Sequence, residues 1–224
     1  MQRHFEKELE SLQTTLIKMG SAAEDALRLS IAALLERSVA KAEQVIAGDE
    51  RINSLEMEID NSIVDLLALQ QPVAVDLRMI LAAQKINNDL ERIGDHAVNI
   101  AQSAMSLAER LPQDALLDLP TMADVVQKMV RDALDGFIHR EVSLGTKVLE
   151  QDDLIDDMNK NMTRQVIQLM KSDQKSIETG LDLIRVSRNL ERVADLATNI
   201  AEEVIFIAQA RVVKHHAADP PKTP

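Results

Sequence analysis

The chain contains no cysteine, no tryptophan and no tyrosine, and only three phenylalanines, Phe5, Phe137 and Phe206. Without cysteine there is no disulfide framework, no thiolate-held zinc or iron–sulfur centre and no thiol nucleophile. Clustered Lys and Arg and aromatic platforms, on which nucleic-acid binding depends, are missing as well. The 37 acidic residues outnumber the 25 basic ones and leave a formal charge of −12, which repels phosphate backbones and anionic lipid at long range. Nucleic acid is therefore not an expected partner. No uncharged apolar run approaches the ~20 residues of a membrane span. The most apolar stretch, Val204 to Ala208, follows directly on Glu202 and Glu203. The first residues show no apolar segment of the secretory kind. The expectation is a soluble protein, peripheral to a membrane at most, and the lack of cysteine is compatible with a reducing cytoplasm.

Gly and Pro number six each, and the 46% of hydrophobic residues are mostly Leu, Ile, Val, Ala and Met. That balance predicts an all-α protein. Periodicity agrees. Leu9, Leu12, Leu16, Met19, Ala23, Ala26, Ser30 and Leu34 follow a three-four spacing, as do Ile52, Leu55, Ile59, Ser62, Leu66 and Leu69. A third stripe runs through Ile86, Leu90, Ile93, Ala97, Ile100, Ala104, Leu107 and Leu111. Each gives one apolar face flanked by charge, as in a bundle helix. A break is expected near Ser38. Gln70-Gln71-Pro72 reads as the next turn, with Pro suited to a first helical turn. Residues 111–120, LPQDALLDLP, read as a linker. The ending KHHAADPPKTP reads as a disordered tail, and His215 and His216 are set aside as incidental to any site.

The two halves repeat. Leu90-Glu91-Arg92-Ile93-Gly94-Asp95 with Ala97, Asn99, Ile100 and Ala101 recurs 100 residues later. The second copy is Leu190-Glu191-Arg192-Val193-Ala194-Asp195 with Ala197, Asn199, Ile200 and Ala201. Asp49-Glu50-Arg51-Ile52 recurs more loosely as Asp152-Asp153-Leu154-Ile155. The reading is a duplicated unit: a first three-helix bundle over 1–111, a second over 112–213 and a tail over 214–224, each bundle with its own core.

The repeated motif is also where chemistry could sit. With Ile86, Leu90, Ile93 and Ala97 facing inward, Glu91, Asp95 and Asn99 form an oxygen-rich ridge. Glu191, Asp195 and Asn199 form its twin, with Glu203 one turn on. Asn53, Glu56 and Asp60 make a ridge on the second helix, and the two could share a groove. Hard oxygen ligands suit Mg, Ca, Mn or iron. No Glu has a His three residues later, so the di-iron oxidase signature is absent. The same carboxylates could equally be solvated faces partnered by Arg92 and Arg192. Two readings stay open at this point: metal-binding ridges, as in a metal-dependent enzyme or metal store, and a purely structural helical interaction protein. Met158, Met162 and Met170 read as packing.

Taken together, these residues resemble the PhoU family of phosphate-signalling proteins. The two Leu-Glu-Arg-x-x-Asp copies, Gln71-Pro72-Val73-Ala74-Val75-Asp76-Leu77-Arg78, Gly48-Asp49 with Glu56 and Asp60, and the Met19-Gly20 pair carry the resemblance over residues 3 to about 210. It implies two tandem three-helix bundles of the PhoU type, akin to spectrin repeats, often as a homodimer. It implies a bacterial cytoplasmic adaptor rather than an enzyme. Such an adaptor works with the ATPase subunit of the phosphate ABC transporter and with the sensor histidine kinase PhoR, and keeps phosphate-starvation genes silent when phosphate is plentiful. Carried over by motif, the metal residues are Glu91 and Asp95, Glu191 and Asp195, and Glu56 and Asp60. At the second-unit positions of Glu56 and Asp60 stand Asn159 and Thr163, so the second site is expected to be weaker or to recruit Asp152 or Asp156. Ser172 or Asp173 is expected to cap a helix where the first unit has its Gln-Pro turn.

Overall fold

A computed structural model of the chain describes residues 2–110 and 118–211. The apolar stripes fold as α1 (Gln2–Glu36), α2 (Val39–Gln70), α3 (Ala74–Leu107), α4 (Leu119–His139), α5 (Val142–Leu149), α6 (Asp152–Ser172) and α7 (Ile177–Gln209). One 3-10 turn, Gln174–Ser176, leads into α7. Helices α1, α2 and α3 pack as one bundle, and α4, α5, α6 and α7 as its counterpart. The fold is all-α and duplicated.

Local chemistry sets the breaks. Arg37 takes a left-handed φ of 55°, and Ser38 then caps α2 by accepting a hydrogen bond from the Lys41 backbone N–H at 3.3 Å. Arg140 repeats the left-handed step between α4 and α5 with φ 54°. Asp173 accepts from the Lys175 N–H at 3.0 Å and opens the turn before α7. Pro72 lies in the α2–α3 turn, ahead of the Val73 cap, and not inside the first turn of α3. Leu119 and Pro120 belong to α4, with Leu119 buried, so the linker ends earlier than its composition suggests. The rest of the linker reading, residues 111–117, lies outside the described residues, as do Leu111, the tail and its two histidines.

Two differences from the sequence reading have simple causes. The straight three-four count drifts against a real helix of 3.6 residues per turn. In α1 the buried stripe therefore moves to Leu27 from Ala26, and in α2 Ile63 is buried in place of Ser62, while Leu69 is exposed. In the second unit, the counterpart of α2 bends at Glu150 and Gln151 into α5 and α6. Both residues keep right-handed helical angles, so the chain changes direction without a loop. Gly145 permits the approach of α5 to α7: a Cβ there would lie 3.2 Å from the Ala201 carbonyl oxygen.

The two bundles do not have separate cores. Buried apolar side chains form one continuous cluster from Leu12 to Ile207, because α3 and α7 are buried on two sides. They run antiparallel along each other, and this contact is the most extensive between any two helices. The polar pairs trace its register. Lys85 Nζ meets Glu203 Oε1 at 2.6 Å, Asn199 donates to Asp89 at 3.4 Å, and His96 Nδ1 lies 2.8 Å from Asn189 Oδ1. At the far end Ser106 donates to Asp182 at 2.7 Å, and Arg110 reaches Asp182 and Glu178 at 3.2 and 2.7 Å. Asp89, Asp182 and Glu203 are all buried in this seam.

Burial pushes the Asp89 carboxyl up to about 6 from an ordinary 3.8, with the Asn199 amide and Arg92 opposing the shift. The folded chain thus holds a proton that the unfolded chain releases at lower pH. Asp89 stabilises the fold fully below its ordinary value, and that contribution is lost as pH rises through about 6. Asp89→Asn is expected to remove this slope and to raise stability at alkaline pH by about 1–3 kcal/mol, as read from urea melts on either side of the transition.

Candidate metal-binding ridges

Gly94 lies at the close contact between α2 and α3. A Cβ there would sit 2.9 Å from Ile52 Cδ1 and 3.4 Å from its Cγ2, with Asp49 Oδ1 at 3.6 Å. Buried Asn87 fastens the pair from the α3 side. Its Nδ2 donates to Asp60 Oδ1 at 2.8 Å and to the Glu56 carbonyl at 3.2 Å. Gln84 Nε2 adds a second bond to Asp60 at 3.0 Å. Above these contacts the two ridges face each other, as their spacing predicts.

The electrostatics show which carboxylates share the groove. Burial raises Glu91 above the usual carboxylate range, and Asp95, Glu56 and Asp49 add like charge, with Arg92 opposing. Glu56 is raised first by burial and then by Asp60 and Asp95. The first ridge is thus a five-carboxylate set, Asp49, Glu56, Asp60, Glu91 and Asp95. Among the described residues no Lys or Arg forms an ion pair with any of the five; Arg92 turns instead towards Asp89, at 4.0 Å. Asn53, on the same α2 face, donates to Asp49 at 3.1 Å.

The second ridge is built differently. Asn159, at the position of Glu56, turns inward and accepts a 2.6 Å hydrogen bond from buried Ser187. The acidic partners of Glu191 and Asp195 come instead from one turn earlier on α6. Glu191 is raised by burial and by Asp195, with Asp156 contributing. Asp195 is raised by burial, opposed by its bond to Arg192, and raised further by Asp152 and Asp156. Here cations intrude: Arg192 pairs with Asp195 at 2.9 Å and lies 3.8 Å from Glu191, and Lys160 lies 3.6 Å from Asp156. The first ridge carries its charge without ion pairs, whereas the second is partly neutralised.

Other expected members fall elsewhere. Asn199 and Glu203 leave the second ridge for the seam, where they meet Asp89 and Lys85. His96 is a seam residue bonded to Asn189. Met162 is buried, with Met158 and Met170 packed against the core. Asp49 was missed as a site residue, although its recurrence as Asp152 in the repeat marked it. Among the described residues, no three acidic or histidine side chains converge closely enough to hold a metal ion as they stand. The first ridge has the donor chemistry and the uncompensated charge for a hard cation, and its side chains must turn to bind one.

Comparison with known proteins follows the same boundaries. Residues 16–104 and 119–204 each match the PhoU domain. The chain is 38% identical over 209 residues to the phosphate-specific transport system accessory protein PhoU homologue of Aquifex aeolicus, spanning 93% of this chain and 95% of that one. It is 38% identical over 214 residues to the homologue of the same name from Pseudomonas putida, spanning 95% and 84%. The crystal structure of PhoU from Pseudomonas aeruginosa aligns with a TM-score of 0.90 at 36% identity, over 92% of this chain and all of that one. The phosphate transport system regulatory protein PhoU of Streptococcus pneumoniae aligns with a TM-score of 0.85 at 28% identity, over 94% of this chain and 100% of that one.

A carboxylate whose folded titration is raised opposes folding once the pH has passed through that titration. In chelator-treated protein, Glu91→Gln is expected to raise the stability at pH 7–8, by less than about 1 kcal/mol because the ridge remains in contact with water, and with it the melting temperature. The gain should shrink as pH falls through the Glu91 titration. A lower melting temperature than wild type at pH 8 would contradict the unneutralised ridge.

Proposed function

The chain belongs to the PhoU family, and on that premise we propose that it is a cytoplasmic accessory and regulatory protein of a phosphate-specific transport system. It links the transporter's ATPase subunit to the sensor histidine kinase PhoR and restrains phosphate-starvation signalling. The observation that carries this reading is the match of both repeats to the PhoU domain, with whole-length relatives named as accessory proteins of phosphate transport. Those names are of accessory proteins, and the chain is accordingly read as an adaptor and not an enzyme. Among the described residues no helix is long and apolar enough to cross a membrane, so contact with the transporter is made as a peripheral partner. A homodimer is part of the reading.

Coupling of this kind requires that a partner bind one state of the transporter better than another. The fold supplies a rigid body suited to it: long helices, one continuous core and charged faces. In a strain lacking the protein, phosphate-starvation genes are expected to stay on in high phosphate, read with a reporter fused to one such gene. Normal repression would count against the adaptor role.

The same proposal assigns a metal to the first ridge. Asp49, Glu56, Asp60, Glu91 and Asp95 are oxygen donors throughout, which suits Mg, Ca, Mn or iron and disfavours soft-ligand metals. When bound, the ion supplies positive charge that relieves the carboxylate repulsion and ties α2 to α3. The second ridge, with Asp152, Asp156, Glu191 and Asp195, is the weaker site because Arg192 and Lys160 already compensate it. A metal that binds only the folded chain raises stability by linkage, about 2.7 kcal/mol at a hundred times its dissociation constant. Manganese or magnesium should therefore raise the melting temperature of the wild type. The rise should be largely lost in Glu91→Gln with Asp95→Asn, and reduced less by Glu191→Gln. Equal losses from the two ridges would remove the asymmetry claimed here.

A further inference from the structure

The exposed side of the α3–α7 pair carries a row of arginines, of which Arg192 also pairs with the second ridge. On α7 a groove of about 410 Å³ is lined by Leu181, Ile184, Arg185, Arg188, Asn189 and Arg192. No carboxylate lines it, in a chain of net charge −12. Arg185, Arg188 and Arg192 follow one helical face and span about 10 Å along it. A second groove, of about 450 Å³, shares Arg192 and adds Arg92 but is also lined by Asp152, Asp195 and Glu202, so the carboxylate-free stretch ends at Arg192. Leu181, one turn before Arg185, is 55% exposed and gives the row an apolar end.

The individual pairings indicate what such a row can take. Arg185 is held by Asp182 at 2.9 Å and Arg192 by Asp195 at 2.9 Å. Among the described residues Arg188 forms no ion pair, although its charge acts on Glu191. The guanidinium groups are thus spread in a line and not converged around a point, in an open groove. A single small anion finds no cage there. A rigid segment with carboxylates at helical intervals meets all three, because its i, i+4 spacing matches theirs. An apolar side chain on that segment would cover Leu181 and Ile184, which gives the contact a desolvated anchor beside its charges. The first repeat has lost this pattern. Its positions read Leu81, Gln84, Lys85, Asn88 and Arg92, with Asn88 in place of Arg188, and Lys85 is committed to Glu203.

We infer that the Leu181–Arg192 face of α7 is the docking surface for an acidic, amphipathic helical segment of a partner protein. This deepens the adaptor reading, on which it rests, by giving it one face and one recognition chemistry. Charge complementarity sets the encounter and its salt dependence, and the apolar end sets the register.

The test uses the full chain in its own cells, with the photoreactive residue p-benzoylphenylalanine at position 181 and sequencing of the cross-linked peptide. The expected product is a segment of net negative charge with carboxylates three or four residues apart and at least one Leu, Ile or Val on the same face. Arg188→Glu should lower the cross-link yield at least about tenfold, with a retained cooperative melt showing that the fold survives the added charge beside Glu191. Arg164→Glu, on α6, should leave the yield unchanged. A cross-link to a neutral or basic segment, to a second copy of this chain, or one indifferent to Arg188→Glu overturns the proposal. So does the absence of any cross-link in a strain whose phosphate-starvation genes respond normally; there the adaptor role stands and the face is wrong. An Arg188-dependent acidic cross-link in cells whose deletion strain represses those genes normally has the opposite meaning: the face stands and the phosphate role falls.

Discussion

Everything else in this molecule is arranged around the lengthwise packing of α3 on α7. Each of these helices carries the core face of its own bundle and, on a second side, the contact with the other copy. A single apolar stripe is not enough for that, which is why small residues such as Ala97, Ala101, Ala197 and Ala201 alternate with the large ones and are fully buried. The contact merges the two bundles into one body with one core. It also fixes where the remaining charge can go. What is left of the α3 and α7 surfaces is a narrow strip, and the acidic ridges and the arginine row lie on its different sides.

The seam is polar where a bundle core is apolar. Asp89, Asp182 and Glu203 sit in it, each matched by a cation or an amide from the opposing helix. Ion pairs of this type contribute less to stability than their geometry suggests, because the carboxylates are desolvated while Lys85 and Arg110 stay in contact with water. Their contribution is to registry: a slide of one turn would leave Glu203 without Lys85 and Asp182 without Arg110. The charges thus act together with the apolar packing to select one alignment of two helices that are near copies.

Much of this was legible in the residues themselves. The duplicated Leu-Glu-Arg-x-x-Asp motif and the eight-position stripe in α3 located the helices, the repeat and both ridges, because helical periodicity and recurrence are local properties of a sequence. What was not legible depends on a third helix. Nothing within α7 distinguishes Asn199 and Glu203 from Asp195; only the presence of α3 turns the first two into the seam. Two separate cores were expected because each repeat has three stripes. The second buried side of α3 and α7 is signalled only by small and polar residues, which read equally well as a surface. The bend between α5 and α6 carries no Pro and no left-handed residue, and so left no mark. Asp49 could have been found from the repeat, since it recurs as Asp152.

The registry has a consequence at the level of assembly. Every seam contact joins the first unit to the second, and none requires that both come from the same molecule. Two chains that open at the seam can close on each other's units with all these pairs restored, which makes a domain-swapped dimer. Two units of one chain meet at a higher effective concentration than units of separate chains. Dilute solutions therefore favour the self-closed form, while conditions that loosen the seam at high protein concentration favour exchange.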